Sequence, residues 1–375
     1  MNASLPSPTL IIALGFALGA IFGFVASKAN FCTMGAVSDI VHMGEWTRMR
    51  TWLVAIAIAV LGVAALQAAG LVDTAKSIYV ANRLPWLSHI IGGALFGVGM
   101  ALAGGCTSKT LVRIGGGNYK SLVVSLVVAI SAYVTLKGLF GVFRANALDA
   151  IAIQLTTTQD LPTLVAATFG LDPRAAAIAV PAAVATALLA FALARREMWR
   201  VDAVLAGAIV GLVVVAGWYV TGRIGYIAEH PDTLQEAFVA TQSNRPESLS
   251  LVAPYAYTIE LLMFWSDASR HVTFGIATAA GIVAGSLAWA LASRTFREES
   301  FRDAGDLKRH IAGGMLMGFG GITALGCTIG QGLTGVSTLA VGSIVTLLAI
   351  VGGAAAMMKL DYWWLAREPA AKAGA

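Results

Sequence analysis

Residues 89–107 read HIIGGALFGVGMALAGGCT, and residues 310–328 read HIAGGMLMGFGGITALGCT. The two stretches match at 11 of 19 positions without a gap, from the first histidine to the final Cys-Thr pair. Each is a glycine-rich apolar run close to the length that crosses a hydrocarbon core, which takes roughly 17–25 residues. The chain therefore contains an internal repeat, and its unit includes a predicted membrane span.

The composition of the whole chain is that of a membrane protein. Of the 375 residues, 58% are hydrophobic and 12% are charged, whereas soluble domains are about 25% charged. A single core could not bury this much apolar surface, so we predict that lipid surrounds most of it. The N-terminus lacks the basic start of a cleaved signal peptide, so its first apolar run is predicted to be a retained helix. The excess of basic residues indicates orientation rather than nucleic-acid binding.

The apolar runs predict an all-α polytopic membrane protein with about nine transmembrane helices. The predicted spans are 10–27, 52–72, 89–104, 121–143, 175–194, 204–222, 272–292, 310–326 and 336–358. Two further segments, 30–44 and 251–265, are too short or too polar to cross the bilayer. We predict that they form short re-entrant helices, which are tolerated in a membrane where protein buries them.

The distribution of basic residues predicts the orientation. With the N-terminus outside, the segments between spans hold 17 Lys and Arg inside and 7 outside, as the positive-inside rule requires. The two copies of the repeat then run in opposite directions. We predict two inverted halves, residues 1–144 and 201–375, joined by a connector at 145–200 that contains the fifth span. Secondary transporters commonly have this plan and bind substrate at the repeat interface.

The chain has three cysteines, Cys32, Cys106 and Cys327, and each is followed by threonine. No CxxC or Cys/His spacing indicates zinc or a disulfide framework, so we predict neither a metal nor a cofactor. Cys106 and Cys327 occupy the same position in the two copies of the repeat. We therefore expect them to lie close to each other.

The glycines before these cysteines would interrupt a span, and the threonines after them are predicted to cap a short helix that begins there. The free amides at a helix start favour an anion, and neighbouring polar side chains add donors. A neutral thiol donates weakly, which suits a soft sulfur atom better than sulfate or phosphate. We predict a substrate-binding site for an anion with oxygens and a soft sulfur. Besides the three cysteines, it consists of Gly105, Thr107, Lys109, Gly326, Thr328 and Gln331.

Three stretches carry a family resemblance: SKANFCTMGA (27–36), GVGMALAGGCTSKTL (97–111) and GFGGITALGCTIGQG (318–332). They resemble the YeeE/YedE family of sulfur-compound membrane transporters over residues 10–140 and 200–358. The resemblance implies thiosulfate uptake across the bacterial inner membrane, with Cys32, Cys106 and Cys327 as the functional cysteines. It also implies a small sulfur-carrier protein of the TusA type as a partner at the cytoplasmic face.

Other functions stay open at this point. Some members of the family are linked to other sulfur species or to selenium. A membrane sulfurtransferase or thiol oxidoreductase would need a base beside an activated thiolate, and no histidine or aspartate stands near Cys106 or Cys327 in the sequence. A purely structural subunit would leave the repeated element unexplained. We therefore expect a transporter, not an enzyme, that passes thiosulfate between thiols by hydrogen bonds without a covalent intermediate.

Overall fold

The computed structural model describes residues 6–195, 198, 201–231 and 234–372, with the side chains of the last helix described to residue 364. Within these residues the fold consists of α-helices and two pairs of two-residue antiparallel strands, Arg83–Leu84 with Ile153–Gln154 and Tyr226–Ile227 with Ala237–Phe238. The helices are α1 (Pro8–Lys28), α2 (Thr33–Met43), α3 (Thr47–Ala68), α4 (Trp86–Leu102), α5 (Thr107–Gly115), α6 (Tyr119–Lys137), α7 (Leu139–Phe143), α8 (Leu161–Phe169), α9 (Pro173–Leu193), α10 (Val201–Tyr219), α11 (Val252–Met263), α12 (Phe274–Ala292), α13 (Ala304–Thr323) and α14 (Val341–Lys372).

The predicted fold class is confirmed. In the described part of the chain, eight helical stretches are long and apolar enough to cross a membrane. The ninth predicted span corresponds to α13, which is less apolar because Asp306, Lys308 and Arg309 lie in its first two turns. The two segments predicted to be re-entrant form the short helices α2 and α11, and their depth in the bilayer stays a prediction.

Both copies of the repeat end in a tight turn directly before the cysteine. After α4, Gly104 adopts the left-handed conformation with φ +65°, and the Gly105 N–H donates to the Met100 carbonyl at 3.0 Å. After α13, the residue at the same repeat position is Leu325, which adopts φ +59° despite its side chain. Both turns therefore have the same left-handed conformation, which glycine adopts without strain at Gly104 and which is strained at Leu325.

Helices α4 and α13 cross in direct backbone contact. A Cβ atom added to Gly99 would lie 2.6 Å from the Gly313 carbonyl, and one added to Gly313 would lie 2.6 Å from the Gly99 carbonyl. Gly92 and Gly320 meet in the same way, at 2.8 and 2.5 Å. Gly92 and Gly313 are equivalent positions of the repeat, as are Gly99 and Gly320. The crossing is therefore pseudo-symmetric, and only glycines allow it.

The helices that flank α4 and α13 also pack against them at glycines. Gly97 of α4 lies against Ile350 of α14, and Gly318 of α13 lies against Val128 of α6. Likewise α1 packs along α12 and α10 packs along α3. Glycines at these positions therefore serve close helix packing. The borders of the two halves stay a prediction, and residues 196, 197, 199 and 200 of the connector lie outside the described residues.

The predicted orientation can be measured with single introduced cysteines. Arg302 and Arg245 are both exposed, and the charge bias places Arg302 inside and Arg245 outside. The native cysteines are buried, so they give little background. In intact cells we expect a membrane-impermeant maleimide to label Arg245→Cys and to label Arg302→Cys only after permeabilisation. Labelling of Arg302→Cys in intact cells would contradict the N-out orientation.

Candidate functional site

Each cysteine lies at the start of a short helical segment. Cys32 is the N-cap of α2, Cys106 is the N-cap of α5, and Cys327 precedes a π-helical turn over Gly330–Gly335. The Cys32 sulfur accepts from the Gly35 N–H at 3.5 Å. The Cys327 sulfur accepts from the Gly330 N–H at 3.4 Å. These thiols therefore occupy the acceptor position that Ser or Asp usually fills at a helix start.

The prediction that the threonines are the caps is wrong. Helix α5 begins at Thr107, so the cap is Cys106, and Thr328 stands in a turn after Cys327. One hydroxyl in each motif is left free by this shift of one residue. Thr33, Thr107 and Thr328 are at most 2% exposed, and their hydroxyls have no hydrogen-bond partner. A buried polar group without a partner costs about 1–3 kcal/mol, so these three hydroxyls are candidate contacts for a ligand.

The thiols of Cys32 and Cys106 lie near each other. Cys106 also shares a 3.1 Å hydrogen bond with the Ser108 hydroxyl. The Thr328 hydroxyl lies near the Cys106 thiol without hydrogen-bond geometry. The three motifs therefore meet around Cys106, although they are far apart in the sequence.

The structure assigns the contacts of Cys106 differently from the sequence prediction. We expected Cys106 and Cys327 to be neighbours, and Thr328, which follows Cys327, does lie beside Cys106. The thiol near Cys106 is nevertheless that of Cys32, a proximity for which the sequence contains no signal. The Cys327 thiol instead lies within electrostatic range of the Tyr79 hydroxyl.

A second tyrosine connects these motifs and was missed by the sequence analysis. The Tyr255 hydroxyl donates to the Thr107 carbonyl at 3.3 Å and shares a 3.1 Å hydrogen bond with Ser125. It lies within electrostatic range of both Cys106 and Cys327. Tyr255 occupies α11, the short helix predicted to be re-entrant. A single tyrosine in an apolar segment carries no pattern that would have identified it.

A cavity of about 220 Å³ opens beside Cys327, and we call it the Tyr79 cavity. Its lining is mostly apolar and includes Tyr79, Ser250 and Gly326. Gly326 thus lies at the cavity wall, directly before the cysteine. A Cβ atom on Gly326 would approach the Gln331 side chain to 3.0 Å, so the backbone at Gly326 packs tightly against Gln331.

A groove of about 480 Å³ lies on the side of Cys32 and Cys106, and we call it the Lys109 groove. Its lining includes Lys109, Lys28, Arg113 and Arg297. The Lys109 ammonium donates to the Asn30 side chain at 3.5 Å and lies within electrostatic range of the Cys32 and Cys106 thiols. The predicted position of Lys109 beside the cysteines therefore agrees with the structure.

Two other predicted residues have structural positions. Gly105 lies under Lys109, because a Cβ atom there would meet the Lys109 side chain at 3.2 Å. Gln331 donates one of its two amide hydrogens to the Ala324 carbonyl at 2.6 Å, and its buried carbonyl oxygen has no partner. The role of its second amide hydrogen as a donor to the ligand stays a prediction.

Comparison with known proteins identifies the family of this chain. A family model described as "Sulphur transport" matches residues 28–356. The chain is 29% identical over 332 residues to a protein of Escherichia coli (strain K12) named "Thiosulfate transporter TsuA", covering 86% of this chain and 87% of that protein. It is 25% identical over 349 residues to the protein of the same name from Spirochaeta thermophila, covering 90% and 96%. The chain is a multi-pass membrane protein that belongs to the sulphur transport family, as the three cysteine motifs predict.

Proposed function

We propose that this protein transports thiosulfate through the bacterial inner membrane into the cytoplasm, along a path that passes Cys327, Cys106 and Cys32. The observation that carries the proposal is the convergence of three Cys-Thr motifs between the Tyr79 cavity and the Lys109 groove. Each motif brings a buried thiol and a buried hydroxyl without a partner. The names of the two relatives support thiosulfate as the substrate.

The chemistry of the motifs fits the two ends of thiosulfate. Its terminal sulfur is soft and polarizable, like the cysteine sulfur, and a neutral thiol can donate a weak hydrogen bond to it. Its three oxygens accept hydrogen bonds from hydroxyls such as those of Thr107 and Thr328. Each contact is weak, and a transport site must release what it binds.

The order of the thiols follows from the two openings. Gly326, directly before Cys327, lines the Tyr79 cavity. Cys106 lies among all three motifs, and Cys32 lies toward Lys109. The charge bias of the loops assigns the Tyr79 cavity to the outside and the Lys109 groove to the inside. Thiosulfate would therefore meet Cys327 first, then Cys106, then Cys32.

The cytoplasmic opening suits the carrier partner that the resemblance implies. The Lys109 groove is lined by four basic side chains, which would attract both the emerging anion and an acidic surface. We propose that a TusA-like sulfur-carrier protein docks at this groove and receives thiosulfate. Pull-down of such a carrier by the detergent-solubilised protein, and its loss in the Arg113→Glu variant, would test this step.

Uptake by the purified protein tests the function itself. Proteoliposomes that contain only this protein should accumulate ³⁵S-labelled thiosulfate, and chromatography should recover it unchanged. Recovery of the label as sulfite or as a protein-bound persulfide would instead favour an enzyme. No accumulation above protein-free liposomes would exclude transport by this chain alone.

The thiols should make the path selective for thiosulfate over sulfate. Both are dianions with oxygen acceptors, and only thiosulfate offers a soft sulfur. We expect unlabelled thiosulfate to compete for labelled uptake at concentrations at least about tenfold lower than sulfate, since the loss of one favourable contact of roughly 1.4 kcal/mol is tenfold in affinity. Equal competition by sulfate would remove the role that we assign to sulfur recognition.

A further inference from the structure

A carboxyl group without a partner lines the wall of the Tyr79 cavity. Glu247 belongs to the segment between α10 and α11 and is among the residues that line this cavity. Its backbone is fixed, because its N–H donates to the Thr221 hydroxyl at 3.1 Å and its carbonyl accepts from the same hydroxyl. The segment is therefore held in place while the side chain lies at the opening beside Cys327.

Two other acidic residues of this region form ion pairs with basic side chains, and Glu247 does not. Glu260 is buried, with the Lys137 ammonium at 2.6 Å and the Arg270 guanidinium at 2.8 Å. Glu236 binds the Lys76 ammonium at 2.7 Å. Among the described residues, no hydrogen bond or ion pair is made by the Glu247 carboxyl. An unpaired carboxyl at an opening that we assign to an anion needs an explanation, since its charge would repel the substrate.

The groups around the cavity do not keep Glu247 ionised. Tyr79 and Tyr257 lie within electrostatic range of it and are neutral at ordinary pH. Arg144 also lines the cavity, but Asp149 holds its guanidinium at 3.2 Å. Burial raises the pKa of Glu247 to about 8, because desolvation disfavours the charged form. The carboxyl is thus mainly neutral at neutral pH and ionises as the pH rises through about 8.

We propose that Glu247 is a proton-binding site of the outer cavity, and that the thiosulfate dianion enters the path only when this carboxyl is protonated. The proposal rests on the function proposed above. A protonated carboxyl is a hydrogen-bond donor to a sulfonate oxygen, whereas the carboxylate can only accept and repels a dianion. Substrate binding and proton binding then favour each other by linkage.

The pH dependence of uptake tests this coupling. In right-side-out membrane vesicles with a fixed internal pH, uptake should be constant up to an external pH of about 7 and fall about tenfold per unit well above 8. Glu247→Gln keeps a neutral side chain and should show no fall over the same range. The matched control is Glu236→Gln, a carboxylate of the same loop region with a partner, and it should keep the wild-type profile. A Glu247→Gln profile that still falls like the wild type would overturn the proposal.

If Glu247→Gln does not fold, a measurement on the wild-type protein tests the Glu247 proposal independently. Titration calorimetry of thiosulfate into the detergent-solubilised protein at about pH 8, in two buffers of different ionisation enthalpy, counts the protons bound with the substrate. We expect an uptake of about half a proton per thiosulfate, since the carboxyl is half ionised at its pKa. Binding without proton uptake would overturn the Glu247 proposal and leave transport intact, whereas no binding at any pH would count against thiosulfate transport itself.

Discussion

Cys106→Ser is expected to lower thiosulfate uptake by at least about tenfold while the protein stays folded. Cys106 is fully buried, and its thiol lies near the Cys32 thiol and the Thr328 hydroxyl of the other two motifs. Serine keeps a donor but loses the polarizable sulfur and shortens the side chain. Loss of one favourable contact of about 1–1.5 kcal/mol corresponds to about a tenfold loss, and in the proposed path every transported anion passes Cys106.

The measurement is the initial rate of ³⁵S-thiosulfate uptake into proteoliposomes at equal amounts of reconstituted protein. Cys327→Ser should show a similar loss, because we propose that Cys327 is the first thiol of the same path. A matched control is Thr278→Val, since Thr278 is also fully buried and its hydroxyl bonds only within its own helix, to the Phe274 carbonyl at 2.8 Å. Gel filtration in detergent checks folding. Unchanged uptake by Cys106→Ser would remove this thiol from the path.

The same samples distinguish hydrogen-bonded transfer from covalent transfer. Intact mass spectrometry under non-reducing conditions, after exposure to thiosulfate, should show no added mass on the protein. A persulfide or S-sulfonate that forms and disappears at the rate of transport would contradict the hydrogen-bond mechanism. It would instead support the sulfurtransferase chemistry that the sequence left open.

Gly97→Val is expected to prevent stable folding. A Cβ atom at Gly97 would lie 2.1 Å from the Ile350 carbonyl and 2.8 Å from the Ala354 nitrogen, so the contact is with backbone that cannot rotate away. Overpacking in a well-packed core costs typically 1–3 kcal/mol. Here the whole of α14 would have to move away from α4, and we expect a loss of stability of more than about 3 kcal/mol.

Gly352 offers a matched control on the facing helix. It lies in α14, two residues after Ile350, and a Cβ atom there would meet nothing within 4 Å. Gly352→Val should therefore give a monodisperse protein with a thermal midpoint in detergent close to that of the wild type. Gly97→Val should aggregate or melt at a much lower temperature. Equal stability of the two variants would mean that α4 and α14 do not pack as described.

The sequence predicted the fold class because it follows from local composition. Long apolar runs form membrane helices wherever the tertiary structure places them, and each predicted span overlaps an observed helix, although α14 continues to Lys372, beyond the predicted end at 358. The glycines of α4 and α13, such as Gly97 and Gly313, allow the close packing that the structure shows. Because the two copies of the repeat are equivalent, a feature of the first copy also predicted the position of its counterpart in the second.

The candidate site was predicted only in part, because its contacts join segments that are distant in sequence. The three cysteines, Lys109 and the glycine turns could be named from the motifs. The donor role of Gln331 stays a prediction, because the Ala324 carbonyl accepts only one of its two amide hydrogens. Glu247 and Tyr255 belong to no motif, and nothing in the sequence shows that one lacks a partner or that the other lies between two thiols.

The sequence by itself determined that this chain crosses a membrane, that it contains a repeat ending in Cys-Thr, and that it belongs with sulfur-compound transporters. These properties are set by hydropathy, spacing and residue identity, which folding does not change. Only the tertiary structure decided that Cys32 and Cys106 occupy the N-cap positions of their helices, that Cys106 lies near Cys32, and that the three threonine hydroxyls have no hydrogen-bond partner. Those facts depend on how α4 and α13 cross and on one residue of register at each helix start, because a shift of one residue turns a side chain by about 100° around a helix.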